Sequence, residues 1–366
     1  MKLIHCADLH LDSKLNANLD RERRKERKGE LLHTFGRMVD YAAEHGVAAI
    51  LIAGDLFDVK NISATARNTV LHHINEHSDI RFYYLKGNHD NDNFLSGIEN
   101  LPENLKLFNK QWKTYEEAGG AIAISGIELS PENAGSAYVS LVLDASRFQI
   151  VMLHGQENES AVRDKAEIIN LKALRNKGID YLALGHIHAY KKEQLDARGI
   201  YCYPGCLEGR GFDECGEHGF IVLDVDENSG KYTHEFVPFA KRTLYAVNVD
   251  VTGCQTTAEM IGRTEAALQA AGCEPESLIK IILEGAIDVE CEKDIDYLLA
   301  SFQSRFYFVK IYDETSLLVD EKDYLLDASL KGEYVRQVMA DDSIPEEDKK
   351  IIIRYGLQAI AGEEIM

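Results

Sequence analysis

Seven short apolar runs recur along the first 225 residues, each about the length of a buried β-strand. They are Lys2–Ala7, Val47–Ala53, Ile80–Leu85, Ala121–Ile127, Phe148–Leu153, Ile179–Leu184 and Phe220–Val225. Between the first runs, apolar residues repeat with helical spacing over 31–42, and a second helix is predicted over Ser63–His77. This alternation predicts an α/β layered fold. Fewer helices separate the later strands, so we expect a mixed or doubled sheet.

The pattern changes near residue 243. Strand-like and helical stretches then alternate in the order β-α-β-α-β, which predicts a small α+β domain over 243–315. The stretch 316–366 is predicted to be a mostly helical tail. Residues 1–240 would form the larger domain.

Composition narrows the class of protein. Apolar residues make up 45 % and charged residues 28 %, which excludes a fibrous or largely disordered chain. The net charge is −21, so the chain as a whole repels the phosphates of nucleic acid. No apolar stretch is long enough to span a membrane, and the first residues meet a charge too early for a secretory signal. We therefore expect a cytoplasmic protein without a membrane partner.

Metal-binding side chains follow five of the predicted strands, at the point where each strand ends. The segments are Asp8-Leu9-His10, Gly54-Asp55-Leu56-Phe57-Asp58, Gly87-Asn88-His89-Asp90, His154-Gly155 and Gly185-His186-Ile187-His188. Each segment alone could be a set of caps and turn residues. All five in order are a far more specific signal, because ligands of open α/β sheets bind at the carboxyl edge of the strands.

The mixture of donors indicates which ion would bind there. Oxygen and imidazole nitrogen together suit manganese, iron or zinc, and the set contains too much nitrogen for a calcium cage. Seven ligands are too many for one ion with an open position, so two ions sharing a bridging carboxylate fit better.

The five motifs together resemble the calcineurin-like metallophosphoesterase superfamily. Within it, the opening segment Ile4-His5-Cys6-Ala7-Asp8-Leu9-His10-Leu11 resembles SbcD-type DNA-repair exonucleases, and Tyr203-Pro204-Gly205 resembles the YhaO-like branch. The resemblance covers about residues 1–225. It implies a β-sandwich flanked by helices, and the small domain and helical tail lie where SbcD-type proteins carry a capping domain.

The resemblance also implies a role for each motif residue. One metal would be held by Asp8, His10, Asp55 and His188, and the second by Asp55, Asn88, His154 and His186, with Asp55 as the bridge. His89 would bind no metal and would face the leaving oxygen, where it would act as the general acid or stabilise charge. Asp90 would orient His89.

The implied function is hydrolysis of DNA phosphodiester bonds by a hydroxide ion. Two metal ions, with manganese as the first choice, would activate this hydroxide. The implied partners are DNA, a separate SbcC-type ATPase and a second copy of the chain. Two alternatives stay open. The substrate could be a nucleotide or another small phosphoester, or the chain could be a non-catalytic DNA- or ATPase-binding subunit with a structural metal site.

Two weaker signals remain. The basic run over 21–28 could contact a DNA backbone, although glutamates interrupt it and a solvated helix face explains it as well. His72, His73 and His77 share one predicted helix, and without a carboxylate cluster to join they are interpreted as surface residues.

Overall fold

The computed structural model describes residues 1–361 except 14, 16–18, 59–61, 91, 99, 161–164, 166, 289–290, 319–323 and 325. The chain forms two compact units, Met1–Thr243 and Leu244–Met366. The catalytic and capping roles of the two units stay predictions. In the described part of the chain, no helix is long and apolar enough to cross a membrane.

The first unit contains two six-stranded sheets and four α-helices among its described residues. The strands are β1 (Lys2–Cys6), β2 (Val47–Ala53), β3 (Arg81–Leu85), β4 (Leu105–Leu107), β5 (Lys113–Glu117), β6 (Ile122–Gly126), β7 (Phe148–His154), β8 (Gln156–Asn158), β9 (Ile168–Asn170), β10 (Tyr181–Gly185), β11 (Lys191–Gln194), β12 (Ile200–Tyr203), β13 (Gly219–Val225) and β14 (Tyr232–Pro238). The helices are α1 (Arg21–Glu44), α2 (Ala64–Glu76), α3 (Ala134–Ser140) and α4 (Leu171–Leu174).

Both sheets are mixed. The first has the order β14-β13-β1-β2-β3-β4, in which β1 to β4 are parallel and β13 is antiparallel to both of its neighbours, β1 and β14. The second has the order β11-β12-β10-β7-β6-β5, with β12, β10, β7 and β6 parallel and an antiparallel strand at each edge. The expected doubled sheet is confirmed.

Alternation along each strand divides the apolar residues between two cores. On β1, Leu3 packs into the core between the two sheets, whereas Ile4 packs into the core beneath α1 and α2. The second sheet has its own outer core, in which Leu182 and Leu184 of β10 meet residues of α3 and α4. The central strands of both sheets are covered on both faces, which is why the sequence shows them as continuous apolar runs. The predicted β-sandwich flanked by helices is therefore confirmed.

The second unit has a three-stranded parallel sheet in the order β15-β16-β18. Its elements are β15 (Leu244–Asp250), α5 (Thr257–Ala270), β16 (Leu278–Glu284), β17 (Ala286–Asp288), α6 (Ile295–Gln303), β18 (Phe308–Asp313), β19 (Ser316–Leu318), α7 (Leu330–Ala340) and α8 (Glu346–Ala361). Val335 of α7 and Ile353 of α8 are fully buried in the same core as the sheet. The two final helices are thus packed parts of this unit.

Candidate metal centre

The five predicted segments meet at one edge of the sandwich, where β1, β2, β3, β7 and β10 end. Backbone hydrogen bonds join the first two segments, because the N–H groups of Asp8 and His10 donate to the carbonyls of Gly54 and Asp55. The N–H of His186 donates to the carboxylate of Asp8, at 2.9 Å from each oxygen. The edge is therefore held together by its own backbone.

One cluster consists of Asp8, His10 and His188, whose ligand atoms all lie within 4.8 Å of one another. Nε2 of His10 lies 3.1 Å from Nε2 of His188. Asp8 and His10 are almost completely buried. These are three of the four residues predicted for the first metal.

A second cluster forms around His154. Its Nε2 lies 2.9 Å from Oδ1 of Asn88 and 3.4 Å from Oδ2 of Asp55. Nδ1 of His186 lies 3.1 Å from the same Asn88 oxygen. All four residues predicted for the second metal are thus brought together.

Asp55 lies between the two clusters. Its Oδ2 is 3.4 Å from Nε2 of His154 in one cluster and 3.8 Å from Nε2 of His10 in the other. A carboxylate within reach of both sets is placed as a bridging ligand would be.

The backbone at this edge adopts unusual conformations. Asp8, His10, Asp55 and His186 all have positive φ angles, from 44° to 108°. Such conformations are costly for residues other than glycine, and they persist at functional sites where the surrounding structure imposes them. Gly54 has φ of 97°, and a methyl group added there would overlap Nδ1 of His154. The motif glycine is needed both for the turn and for the close approach.

Outer contacts orient two of the imidazole rings. Nδ1 of His154 lies 3.0 Å from the carbonyl oxygen of Ala53, and Nδ1 of His188 lies 2.7 Å from Oε1 of Glu214. When each Nδ1–H donates to these oxygens, Nε2 of each ring is left to act as a ligand. The Nε2 atoms then face carboxylates, an amide oxygen and another imidazole. Such a convergence of acceptor atoms fits a bound cation.

The buried carboxylates of the metal-free site are stabilised by nearby positive charge. Burial raises the pKa of Asp8 to about 7, although His154 and His188 oppose this. Burial would also lower the pKa of His154, but its hydrogen bond to Asp55 and the charges of Asp55 and Asp8 raise it to about 9. For Asp55, burial is outweighed by His154 and His10, which lower its pKa to about 2. A proton on His154 provides the positive charge that cations would supply.

His89 lies beside the predicted metal ligands but is more open to solvent, with about half of its side chain exposed. Its backbone N–H donates to Oδ1 of Asp55 at 2.9 Å. Its Nδ1 lies 3.1 Å from Oδ1 of Asp58, and Asp58 also lies 3.3 Å from Nδ1 of His10.

Asp90 is placed differently from the sequence prediction. Its carboxylate accepts the backbone N–H groups of Leu56, Phe57 and Gly87 at 3.0–3.2 Å. These bonds tie the loop after β2 to the loop after β3. The carboxylate beside His89 belongs to Asp58. The predicted role of Asp90 in orienting His89 is therefore corrected in favour of Asp58.

Sequence reasoning missed three residues around the centre as partners of its ligands: Asp58, Glu214 and Arg210. Nη2 of Arg210 donates to Oε1 of Glu214 at 2.7 Å, and its Nη1 lies 3.7 Å from Asp58. Asp58 is the last residue of the second motif, so its spacing could have identified it. Glu214 follows no motif, and only the folded chain brings it to His188.

The chain is similar to several known proteins. The calcineurin-like phosphoesterase family matches residues 1–190. The uncharacterized metallophosphoesterase YhaO of Bacillus subtilis is 30 % identical over 305 residues, which is 78 % of this chain and 72 % of YhaO. The DNA double-strand break repair protein Mre11 of Sulfolobus acidocaldarius is 24 % identical over 384 residues, which is 96 % of this chain and 94 % of that protein. The solved structure of TT1561 from Thermus thermophilus aligns with a TM-score of 0.42 at 13 % identity, over 64 % of this chain and 98 % of that one.

The family match covers more than half of the chain and contains all five motifs, the last of which ends at His188. YhaO extends the likeness beyond the matched region. This chain therefore belongs to the calcineurin-like phosphoesterase family of metallophosphoesterases, whose members use dinuclear metal sites.

Proposed function

We propose that this chain is a manganese-dependent DNA phosphodiesterase, an exonuclease of the SbcD type that acts in DNA repair. The observation that carries the proposal is the extent of the likeness to Mre11, which continues through the second unit to 96 % of the chain. A likeness confined to the metal centre would favour only the family's general chemistry.

In this proposal Asp8, His10, Asp55 and His188 hold one ion, and Asp55, Asn88, His154 and His186 hold the other. When bound, two divalent ions neutralise an anionic phosphodiester and lower the pKa of water, so that hydroxide is available near neutral pH. This cationic centre also explains how a chain with a net charge of −21 can accept a polyanion.

His89 is the proposed general acid. Its ring is exposed at the mouth of the site, where a leaving oxygen can approach, and Asp58 lies 3.1 Å from Nδ1. A carboxylate at that nitrogen stabilises the protonated ring and fixes its orientation, as catalysis of proton transfer requires. His89 would thus protonate the departing oxygen while Asp58 holds it in place.

The alternative substrate is a small phosphoester. The similarity to YhaO favours it, because YhaO is the more identical relative and its name specifies a metallophosphoesterase without a nucleic acid. A third candidate is a non-catalytic subunit with a structural metal site. The exposed His89 beside seven converging ligands favours an enzyme over this candidate.

One assay separates the three candidates. The full chain and an Asp55→Asn variant are loaded with Mn²⁺ and given linear duplex DNA or a chromogenic phosphodiester. DNA degradation that the variant loses supports the nuclease. Hydrolysis of the small ester alone overturns it in favour of the first alternative, and bound manganese without turnover of either substrate favours the third candidate.

The proposed partners are an SbcC-type ATPase and a second copy of the chain. Co-purification of the chain with an SbcC-type ATPase from the same cells tests the first partner. Sedimentation of the purified chain tests the second. A chain that sediments as a monomer and does not retain the ATPase would remove both from the proposal.

A further inference from the structure

A second group of metal-binding side chains lies on the outer helices of the first unit. His73 lies in the last turn of α2, and His77 follows directly as its C-cap, with its N–H donating to the carbonyl of His73. Asp40 belongs to α1. The ligand atoms of these three residues lie within 4.8 Å of one another. None of the three belongs to the centre described above.

We propose that Asp40, His73 and His77 form a zinc site that joins α1 to α2. The two histidines are four residues apart, which places both rings on one face of a helix. The facing helix supplies the carboxylate that the sequence of α2 lacks. Three protein ligands leave one tetrahedral position, which water from the exposed side can fill.

The observed spacing suits zinc. Ligand atoms about 2.0–2.2 Å from a tetrahedral zinc ion stand roughly 3.3–3.5 Å apart. Nε2 of His77 lies 3.6 Å from Oδ1 of Asp40. A small side-chain rotation therefore brings this pair to coordination distance.

The ring of His73 is fixed by its surroundings. It packs edge-on against Phe35, with 6.0 Å between ring centroids. On the other side it lies against Gly36, where an added Cβ would be 2.6 Å from Nε2. Only glycine at position 36 lets the ring lie this close to α1, so the sequence of α1 accommodates the ring of His73.

The end of α2 is also anchored. The buried amide of Asn104 donates to the carbonyls of Ile74, His77 and Ile80 at 2.8–3.0 Å. These bonds hold the backbone of His77 in place. Preorganised ligands lose little freedom on binding, which favours affinity.

The donor set selects the class of ion. Two imidazoles and one carboxylate suit zinc, whereas magnesium and calcium prefer oxygen alone. Imidazole binds as the neutral ring, and burial lowers the pKa of His73 despite the opposing charge of Asp40. A zinc ion here would link the two helices that cover one outer face of the sandwich.

The test compares zinc binding by the full chain and three variants: His77→Gln, Asp40→Asn and the matched control His72→Gln. His72 is exposed on the same helix turn but lies outside the group. Equilibrium dialysis gives the number of zinc ions bound per chain. Asp55→Asn versions of the wild type and His77→Gln separate this site from the family's metal centre.

We expect His77→Gln and Asp40→Asn each to lose one zinc ion that the wild type and His72→Gln retain. Loss of an outer metal partner already weakens binding roughly ten- to a hundredfold, and loss of a ligand should weaken it at least as much. His77→Gln should lose the same ion in the Asp55→Asn background. Zinc should also raise the Tm of the wild type more than that of His77→Gln. Equal zinc stoichiometry in wild type and both ligand variants, or an equal loss in His72→Gln, would overturn the proposal.

Discussion

The carboxylate of Asp58 lies 3.1 Å from Nδ1 of His89. Asp58 also accepts the hydroxyl of Ser13 at 2.8 Å, and the charges of His10 and Arg210 help to lower its pKa to about 2 against the effect of burial. It therefore remains ionised throughout the neutral range. A fixed negative charge at Nδ1 is what a histidine needs to act as a proton donor through Nε2.

Replacing His89 by alanine tests its role directly. The variant should lose about 10²–10⁴-fold in turnover because no group protonates the leaving oxygen. It should keep both metal ions, since none of the proposed ligands is removed. Metal content by mass spectrometry and turnover of the manganese-loaded protein are the measurements. Loss of an ion from His89→Ala would show that His89 is a ligand.

Asp58→Asn should act through His89. We expect a roughly 10- to 100-fold loss of turnover, the size typical of partners that orient metal-site histidines. The loss should be smaller for a phosphodiester with a nitrophenolate leaving group, because that leaving oxygen needs little protonation. A purely structural role would lower the turnover of both kinds of substrate equally. Equal losses with both substrates would show that Asp58 does not act through His89.

Gly87 is a position where the site has no room for an added side chain. A methyl group there would overlap Oδ1 and the backbone nitrogen of Asp55. Gly87→Ala should therefore displace the bridging carboxylate and weaken metal binding at least about tenfold. Gly29→Ala is the matched control, because nothing lies within 4 Å of its added methyl group and alanine favours the helix α1 by up to about 1 kcal/mol. Equal metal affinity in both variants would contradict the proposed bridge.

Asp8 gives the metal-free protein a predictable pH dependence. Burial raises its pKa from 3.8 to about 7 in the folded chain, so the folded state holds this proton more tightly than the unfolded state. The protonated carboxyl of Asp8 therefore contributes to the free energy of unfolding, and this contribution is complete below about pH 4. It amounts to roughly 4 kcal/mol at most and is lost as the pH rises to about 7.

Urea unfolding of chelator-treated protein at pH 5 and pH 8 measures this effect. The wild type should lose more of its free energy of unfolding between these pH values than Asp8→Asn does. Manganese should abolish the difference, because a cation stabilises the ionised carboxylate. Parallel losses in wild type and variant would show that Asp8 does not titrate in this range.

In the first unit the sequence predicted seven of the strands, most of them buried on both faces, and missed the short strands and the edge strands. The continuous apolar run Val47–Ala53 is β2 residue for residue. In contrast, β11 is a short and polar edge strand, and β14 is an edge strand that is at most half-buried along its length. Such strands are defined by their pairing partners, which a local pattern does not contain.

The convergence of side chains was predictable where the motif residues themselves come together. It was not predictable where a carboxylate arrives from a distant segment, as Glu214 does at His188 and Asp40 does at His73. For Asp90, the sequence predicted a contact with His89 that the structure does not contain. Its neighbour His89 suggested a side-chain partner, but the tight turn after β3 directs the carboxylate to backbone N–H groups. Sequence adjacency does not determine the direction of a side chain in a turn.

The basic run over 21–28 has two interpretations from the sequence, a contact with a DNA backbone or a solvated helix face. It forms the first turns of α1, and most of its charges are exposed, but Arg27 is only 2 % exposed. Arg27 donates to Glu30 at 2.6 Å, to Glu208 at 3.3 Å and to the carbonyl of Gly209 at 2.7 Å. It is thus committed to the fold and is not available to a DNA backbone.

Arg27→Leu should therefore lower the free energy of unfolding by about 3 kcal/mol, because two buried carboxylates lose a partner. The loss should lie at the lower end of the range for broken buried pairs, since Arg242 still donates to Glu30. The exposed Lys25→Leu is the matched control and should change stability by less than about 0.5 kcal/mol. Urea unfolding measures both variants, and fluorescence anisotropy with duplex DNA measures binding. Undiminished stability together with weaker DNA binding in Arg27→Leu would instead assign this arginine to a nucleic-acid surface.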